Sequence, residues 1–225
     1  MTDVKVWHWA GWCGMAGAIL LLFEIPLSHV AHTQYLASIR VVILTRVLLD
    51  MGMYVSLIVF LAGFHHLILT TRSEYGWVAT LALAAGLAWW AVALVAHSLE
   101  GAAALNTLGG KADPTAVRAL VEGTLLIYNG FIAFTVTGLF MASAGYATLA
   151  TGALPKWTGW IACASAVLCL AAIPSMGGGG VDPRGAYNFA VWGPVIVAYV
   201  LPLIWFLVAS ISMIRKREGV APTVA

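Results

Sequence analysis

Long apolar stretches recur along the chain, separated by short polar segments, and this alternation predicts the architecture. Each stretch is close to or above the roughly 20 residues that an α-helix needs to cross the hydrocarbon core of a bilayer. The stretches cover residues 8–30, 41–70, 77–99, 119–147, 157–173 and 187–214. Because the connections are too short to form a separate unit, the pattern predicts one all-α domain over residues 1–225. We expect a polytopic membrane protein, a bundle of six transmembrane helices.

Composition agrees with this pattern and excludes several functional classes. The chain is 62% hydrophobic and only 9% charged, whereas soluble domains have about 25% charged residues. Its net charge is only +2, and the sequence has no extended basic patch of the kind that binds nucleic acid. Nucleic acid is therefore excluded as a partner. The three cysteines lie in apolar runs without CxxC spacing, which argues against a disulfide framework or a zinc ribbon. The predicted partner is the lipid bilayer, and no oligomeric state follows from the pattern.

The distribution of basic residues predicts the orientation. An even number of spans places both termini on one side, and basic residues concentrate on the cytoplasmic side of membrane proteins. The side that holds the termini carries Lys5, Arg72, Lys156, Arg215, Lys216 and Arg217, and the other side carries Arg40, Lys111, Arg118 and Arg184. Both termini are therefore predicted to be cytoplasmic, with residues 100–118 outside.

Charged and strongly polar residues interrupt the apolar runs at similar predicted depths. With the odd-numbered spans running outward and the even-numbered spans inward, most of these residues fall in the outer half of the membrane. Ionisable side chains inside a bilayer are costly, so each is expected to have a partner or a function. These residues are Glu24, Arg46, Asp50, His97, Glu100, Glu122, Asn129 and Asn188.

Helical periodicity indicates which of these side chains share a face. Arg46, Asp50 and Tyr54 follow one another at four-residue spacing, which predicts a structural ion pair between Arg46 and Asp50. His97 and Glu100 are three residues apart and share a face of the third span. The residues predicted to support a site or bind its substrate are Arg46, Asp50, Tyr54, Trp90, Asn129, Asn188 and Trp192.

The first functional hypothesis is a membrane-embedded enzyme. A carboxyl group in an apolar site can act as a general acid, and a histidine or second carboxylate can act as the base. Such groups suit cyclisation or isomerisation of a hydrophobic small molecule in an outer-half cavity, without a cofactor. The predicted catalytic residues are Glu24, His97, Glu100 and Glu122. In the structural alternative, Glu100 and Glu122 simply reach the headgroups.

Two other classes remain open at this point. A proton-linked transporter or channel would use the same acids and histidines as a relay, with prolines such as Pro26 at broken helices. A haem- or metal-binding electron-transfer subunit would use imidazole ligands, since His29, His32 and His97 are predicted at similar depth. In that alternative the cofactor is haem or a transition metal.

Two short motifs carry a family resemblance. Residues 152–160 have the form G-x-L-P-x-W-x-G-W and enter a late helix, and residues 113–120 have the form D-P-x-x-x-R-A-L. Over the second half of the chain, these motifs resemble a broad group of small, uncharacterised polytopic membrane proteins of bacteria. The resemblance implies residence in a bacterial inner membrane and about six spans. It supplies no catalytic residues.

Overall fold

The computed structural model describes residues 3–33, 36–106, 113–128, 131–173 and 189–216. Within these ranges, side chains at 3–4, 24–33, 36–39, 125–126, 128, 131 and 189–199 lie outside the description. The helices are α1 (Asp3–Thr33), α2 (Leu36–Thr71), α3 (Gly76–Asn106), α4 (Pro114–Tyr128), α5 (Phe131–Thr151), α6 (Lys156–Ala172) and α7 (Phe189–Arg215). A single 3₁₀ turn, Ser73–Tyr75, joins α2 to α3. All regular structure in these ranges is helical, which confirms the all-α prediction.

Four of these helices are long and apolar enough to cross a membrane. The qualifying segments within the described ranges are Lys5–Phe23, Arg40–Thr71, Ser73–Asn106 and Ile132–Thr151. Two further apolar helices, Lys156–Ala172 and Val200–Arg215, are shorter. Length and composition therefore support the prediction of a membrane protein with transmembrane helices.

The predicted fourth span, residues 119–147, falls on two described helical stretches, and residues 129–130 between them lie outside the described part of the chain. The structure has two helices there, α4 and α5. Helix α4 packs against α3, where Thr124 Oγ1 donates a hydrogen bond to the Ala96 carbonyl at 3.2 Å. Its other face carries the exposed Arg118. Helix α5 also packs against α3, where the Phe140 ring lies 6.0 Å from the Trp89 ring.

The third helix continues past the predicted span of residues 77–99, because α3 ends at Asn106. The acid at position 100 suggested a membrane boundary, but Glu100 is only 6% exposed and contacts Arg46 of α2. Ala104 continues this interface and packs beside Ile43. An ionisable side chain that is paired inside the bundle can lie in the middle of a helix.

Close contacts define the relative direction of the helices. Gly63 near the end of α2 lies against Ala10 near the start of α1. Beyond α7, the Lys216 ammonium group donates to the Ala153 carbonyl at 3.0 Å and lies 5.1 Å from the centre of the Trp7 ring. Burial lowers the pKa of Lys216. The start of α1, the end of α2, the link between α5 and α6 and the end of α7 therefore lie at one end of the bundle, called here the terminal end.

The core near the terminal end is aromatic and aliphatic. Phe60 and Phe64 of α2 contact Trp205 of α7, with ring centroids 5.8 and 5.5 Å away. Phe206 contacts both Phe60 and Phe140 of α5. All five rings are almost completely buried. The fully buried charged side chains of the described residues lie toward the opposite end of the bundle.

Candidate functional site

Four ionisable side chains meet between α2 and α3. They are Arg46, Asp50, His97 and Glu100, which we call the polar cluster, and their exposed fractions are 2%, 0%, 1% and 6%. Among the side chains that the structure describes, no other Asp, Glu, His, Lys or Arg is buried. The four-residue spacing on α2 and the three-residue spacing on α3 each give one face, and the two faces oppose each other.

Arg46 has its closest acidic contact across the helix interface. Its guanidinium group contacts the Glu100 carboxylate, while Arg46 Nε lies 4.0 Å from Asp50 Oδ2. The predicted pairing of Arg46 with Asp50 is thus present only at the limit of an ion-pair distance. The shorter contact joins α2 to α3, because two opposed helical faces bring side chains closer than one turn of a single helix does here.

Asp50 instead approaches the histidine. Asp50 Oδ2 lies 2.9 Å from His97 Nδ1, and Glu100 Oε2 lies 4.0 Å from the same nitrogen. A carboxylate at one ring nitrogen orients the imidazole and leaves chemistry to the other nitrogen, Nε2. His97 and Asp50 are therefore a buried acid–base pair at ion-pair distance, although their contact does not have the angle of an aligned hydrogen bond, and we call this pair the dyad.

Aromatic rings form a wall beside the dyad. The Tyr54 ring lies 5.6 Å from the His97 ring, and the Trp90 ring lies 5.3 Å from Tyr54. Trp90 in turn stacks on Trp89 with centroids 4.2 Å apart. The structure thus places the predicted supporting residue Tyr54 next to the predicted catalytic residue His97, and Trp90 next to Tyr54.

The polar cluster lies far along the bundle from the terminal end. At 1.5 Å per residue, His97 is about 32 Å along α3 from Gly76, which is roughly the thickness of the hydrocarbon core. Between Asp50 and the terminal end, α2 contributes a completely apolar buried layer, which consists of Leu57, Phe60, Leu61, Phe64 and Leu67. The cluster is therefore adjacent to the far side of the bundle, and the buried side chains of α2 between it and the terminal end are apolar.

Glu122 does not join the cluster, contrary to the prediction that it shares a pocket with His97. It is a half-exposed residue of α4, and its Oε1 accepts a hydrogen bond from Arg118 Nε at 2.7 Å. The Arg118 side chain is 76% exposed. Thr124 faces α3 from the other side of α4, so the helical repeat turns Glu122 away from the dyad.

The remaining predicted site residues fall outside the described side chains. They are Glu24, His29, His32, Asn129, Asn188 and Trp192. Glu24 and Trp192 belong to helices α1 and α7, of which the backbone is described at these positions. The described residues contain no group of three His, Cys, Asp or Glu side chains that could hold a metal ion. The alternative set of His29, His32 and His97 stays a prediction.

Sequence reasoning did not pair Arg46 with Glu100 or Asp50 with His97, although a signal was present. Asp50 precedes the end of α2 by the same number of residues as His97 follows the start of α3. Because α2 and α3 are consecutive helices joined by a tight turn, residues equally far from the turn lie at the same level. Counting outward from the turn would have placed both pairs together.

Comparison with known proteins identifies no relative of this chain. No family model matches the chain, and no curated protein and no solved structure matches it. Any functional proposal therefore rests on the chemistry of the polar cluster.

Proposed function

We propose that the protein is a membrane-embedded enzyme that moves protons on a hydrophobic small molecule, in the manner of an isomerase or cyclase. The observation that carries this proposal is the buried dyad, with His97 Nδ1 2.9 Å from Asp50. A carboxylate that orients an imidazole makes the remaining ring nitrogen an effective general acid or base. In this proposal His97 transfers the proton, Asp50 orients it, and Glu100 holds Arg46.

The position of the dyad supports a lipid-soluble substrate. The cluster is buried in protein, so a substrate must leave lipid or water to reach it, and the neighbouring surface of the bundle is apolar. Exposed residues of α2 near this level include Val41 and Leu48, which are 70% and 73% exposed. Such a surface suits entry from the outer leaflet better than entry of a polar solute.

A proton-linked transporter or channel, the first alternative, receives less support. A proton-conducting path needs polar groups or water on both sides of the site. Between the polar cluster and the terminal end, α2 contributes only apolar buried side chains, and the buried polar side chains described on α5, α6 and α7 are hydroxyl groups such as Thr148, Ser165 and Ser210, with no ionisable group among them. An enzyme needs access from one side only.

A haem- or metal-binding electron-transfer subunit is the second candidate, because one observation favours it. Histidines that bind metals usually donate their other ring N–H to a carboxylate, and Asp50 Oδ2 lies 2.9 Å from His97 Nδ1. His97 is the described residue that would ligate the metal. Visible absorption and metal content of the purified protein separate this candidate from the cofactor-independent enzyme.

Hydrogen exchange into lipids tests the enzyme proposal for a substrate of unidentified structure. We expect proteoliposomes that contain a bacterial lipid extract in D₂O to incorporate solvent deuterium into one lipid-soluble species, because a proton-shuttling dyad exchanges its proton with water. The measurement is mass spectrometry of the extracted lipids. Replacing His97 by Gln should abolish the exchange, and replacing Asp50 by Asn should slow it by about 100-fold or more.

The control for this experiment is His65→Gln. His65 lies near the other end of α2, where its Nε2 is 3.2 Å from Thr80 Oγ1, so its loss should leave the exchange unchanged. Incorporation that persists in folded His97→Gln protein would contradict the role of the dyad. A strongly coloured protein with bound metal and no exchange would favour the second candidate.

We also propose six spans, with both termini in the cytoplasm and the protein in a bacterial inner membrane. The start of α1 and the end of α7 both lie at the terminal end, which supports an even number of crossings. In a cysteine-free variant, we expect a cysteine at exposed Asp113 to react with a membrane-impermeant maleimide in intact cells. A cysteine at exposed Lys156 should react only after permeabilisation. The reverse labelling would invert the orientation.

A further inference from the structure

We infer that the site recognises positive charge in a lipid-soluble molecule, so that its substrate is an uncharged alkene that becomes cationic when it is protonated. Lipophilic ammonium ions should then bind as mimics of the cationic intermediate. This inference rests on the proposed function and specifies its substrate class. It depends on the balance of charges in the polar cluster and on the aromatic wall.

The charges of the cluster disfavour an anionic ligand. Arg46 is its only guanidinium group, and it contacts the Glu100 carboxylate. Asp50 supplies a second carboxylate, of which Oδ1 is fully buried and has no hydrogen-bond partner among the described residues. A phosphate or carboxylate substrate would meet these two acids, whereas a cation would gain a counter-ion at Asp50.

The aromatic wall adds an independent preference for positive charge. Faces of Trp and Tyr rings attract cations, and the attraction is strongest for Trp and for desolvated sites. Tyr54 lies one helical turn after Asp50, and Trp90 contacts Tyr54 at 5.3 Å. Both rings are at most 4% exposed, so water does not weaken their effect.

These groups fit a double-bond shift that needs no oxidant or reductant. The imidazolium form of His97 gives its proton to one alkene carbon, and the π electrons form the new C–H bond, which leaves the other carbon cationic. A neighbouring carbon then returns a proton to the imidazole, and its C–H electrons form the shifted double bond. The proton balance closes, while Asp50 and the two rings stabilise the cation between the steps.

The test compares three ligands of equal chain length but different charge. We expect purified protein in an uncharged detergent to bind N,N-dimethyloctylamine, which is protonated at neutral pH, at least about tenfold more tightly than octanol or octanoate. Isothermal titration calorimetry measures the three affinities. Asp50→Asn should remove most of the preference for the amine, and Trp90→Leu should weaken amine binding roughly threefold or more.

Trp160→Leu is the matched control, because Trp160 is 65% exposed on α6 and should not affect binding. If Asp50→Asn does not fold, the comparison of Trp90→Leu with Trp160→Leu decides the outcome. Equal or tighter binding of octanoate would overturn the inference, as would amine binding that neither Asp50 nor Trp90 affects. Amine binding without deuterium exchange would instead retain the cation site and reject the enzyme proposal.

Discussion

Replacing Glu100 by Gln is expected to destabilise the protein by about 3–5 kcal/mol, because it removes the carboxylate that Arg46 contacts inside the bundle. The side chains of Arg46 and Glu100 are 2% and 7% exposed, so water cannot replace the lost partner. The measurement is the midpoint of thermal unfolding in detergent, followed by tryptophan fluorescence. The loss should appear as a large drop in this midpoint or in the yield of folded protein.

A double replacement separates pairing from simple loss of packing. Arg46→Met together with Glu100→Gln removes both charges, so the double variant should be more stable than Glu100→Gln alone. Glu122→Gln is the matched control, because its partner Arg118 is exposed and ion pairs in solvent contribute little. A double variant as unstable as the single one would show that the Arg46 and Glu100 contact does not stabilise the fold through charge pairing.

Replacing Gly63 by Ala is expected to destabilise the contact between α1 and α2 by about 1–3 kcal/mol. A Cβ atom at position 63 would overlap the Cβ atom of Ala10, so the two helices would have to move apart. In an open helical position the same change is favourable by roughly 0.5–1 kcal/mol, because alanine is the better helix former. The destabilisation by the steric overlap must therefore exceed the stabilisation that alanine brings as a better helix former. Thermal unfolding in detergent measures the net change in stability from these two effects.

Two variants make this prediction specific. Gly52→Ala on the same helix places its Cβ 3.7 Å from Leu20 Cδ1, an ordinary contact, and should leave stability unchanged or raise it. Ala10→Gly combined with Gly63→Ala transfers the missing methyl group from one helix to the other and should recover most of the loss. No difference between Gly63→Ala and Gly52→Ala would contradict the close approach of α1 and α2.

Local pattern predicted helices well where one helix is apolar along its whole length, and poorly where packing decides its end. The prediction of 41–70 matches α2 to within a few residues. By contrast, α3 passes the predicted boundary at Leu99 because Glu100 contacts Arg46 there.

The same distinction applies to the site. His97 and Glu100 were predicted as site residues because acids and imidazoles are expensive in a membrane, and the structure brings them together. Glu122 satisfied the same criterion, yet it pairs with Arg118 on the exposed face of α4. The free energy needed to place an ionisable side chain in a membrane identifies candidate residues. It does not show which helical face such a side chain occupies.

The sequence by itself determined that the protein is helical and suited to a membrane, because hydrophobicity and helical repeat are properties of consecutive residues. It also determined that Arg46 and Asp50 share one face and that His97 and Glu100 share another. Only the tertiary structure decided that Asp50 approaches His97 and that Arg46 contacts Glu100. Those pairings depend on the level at which α2 and α3 pack, and that level is set by contacts between residues distant in the chain.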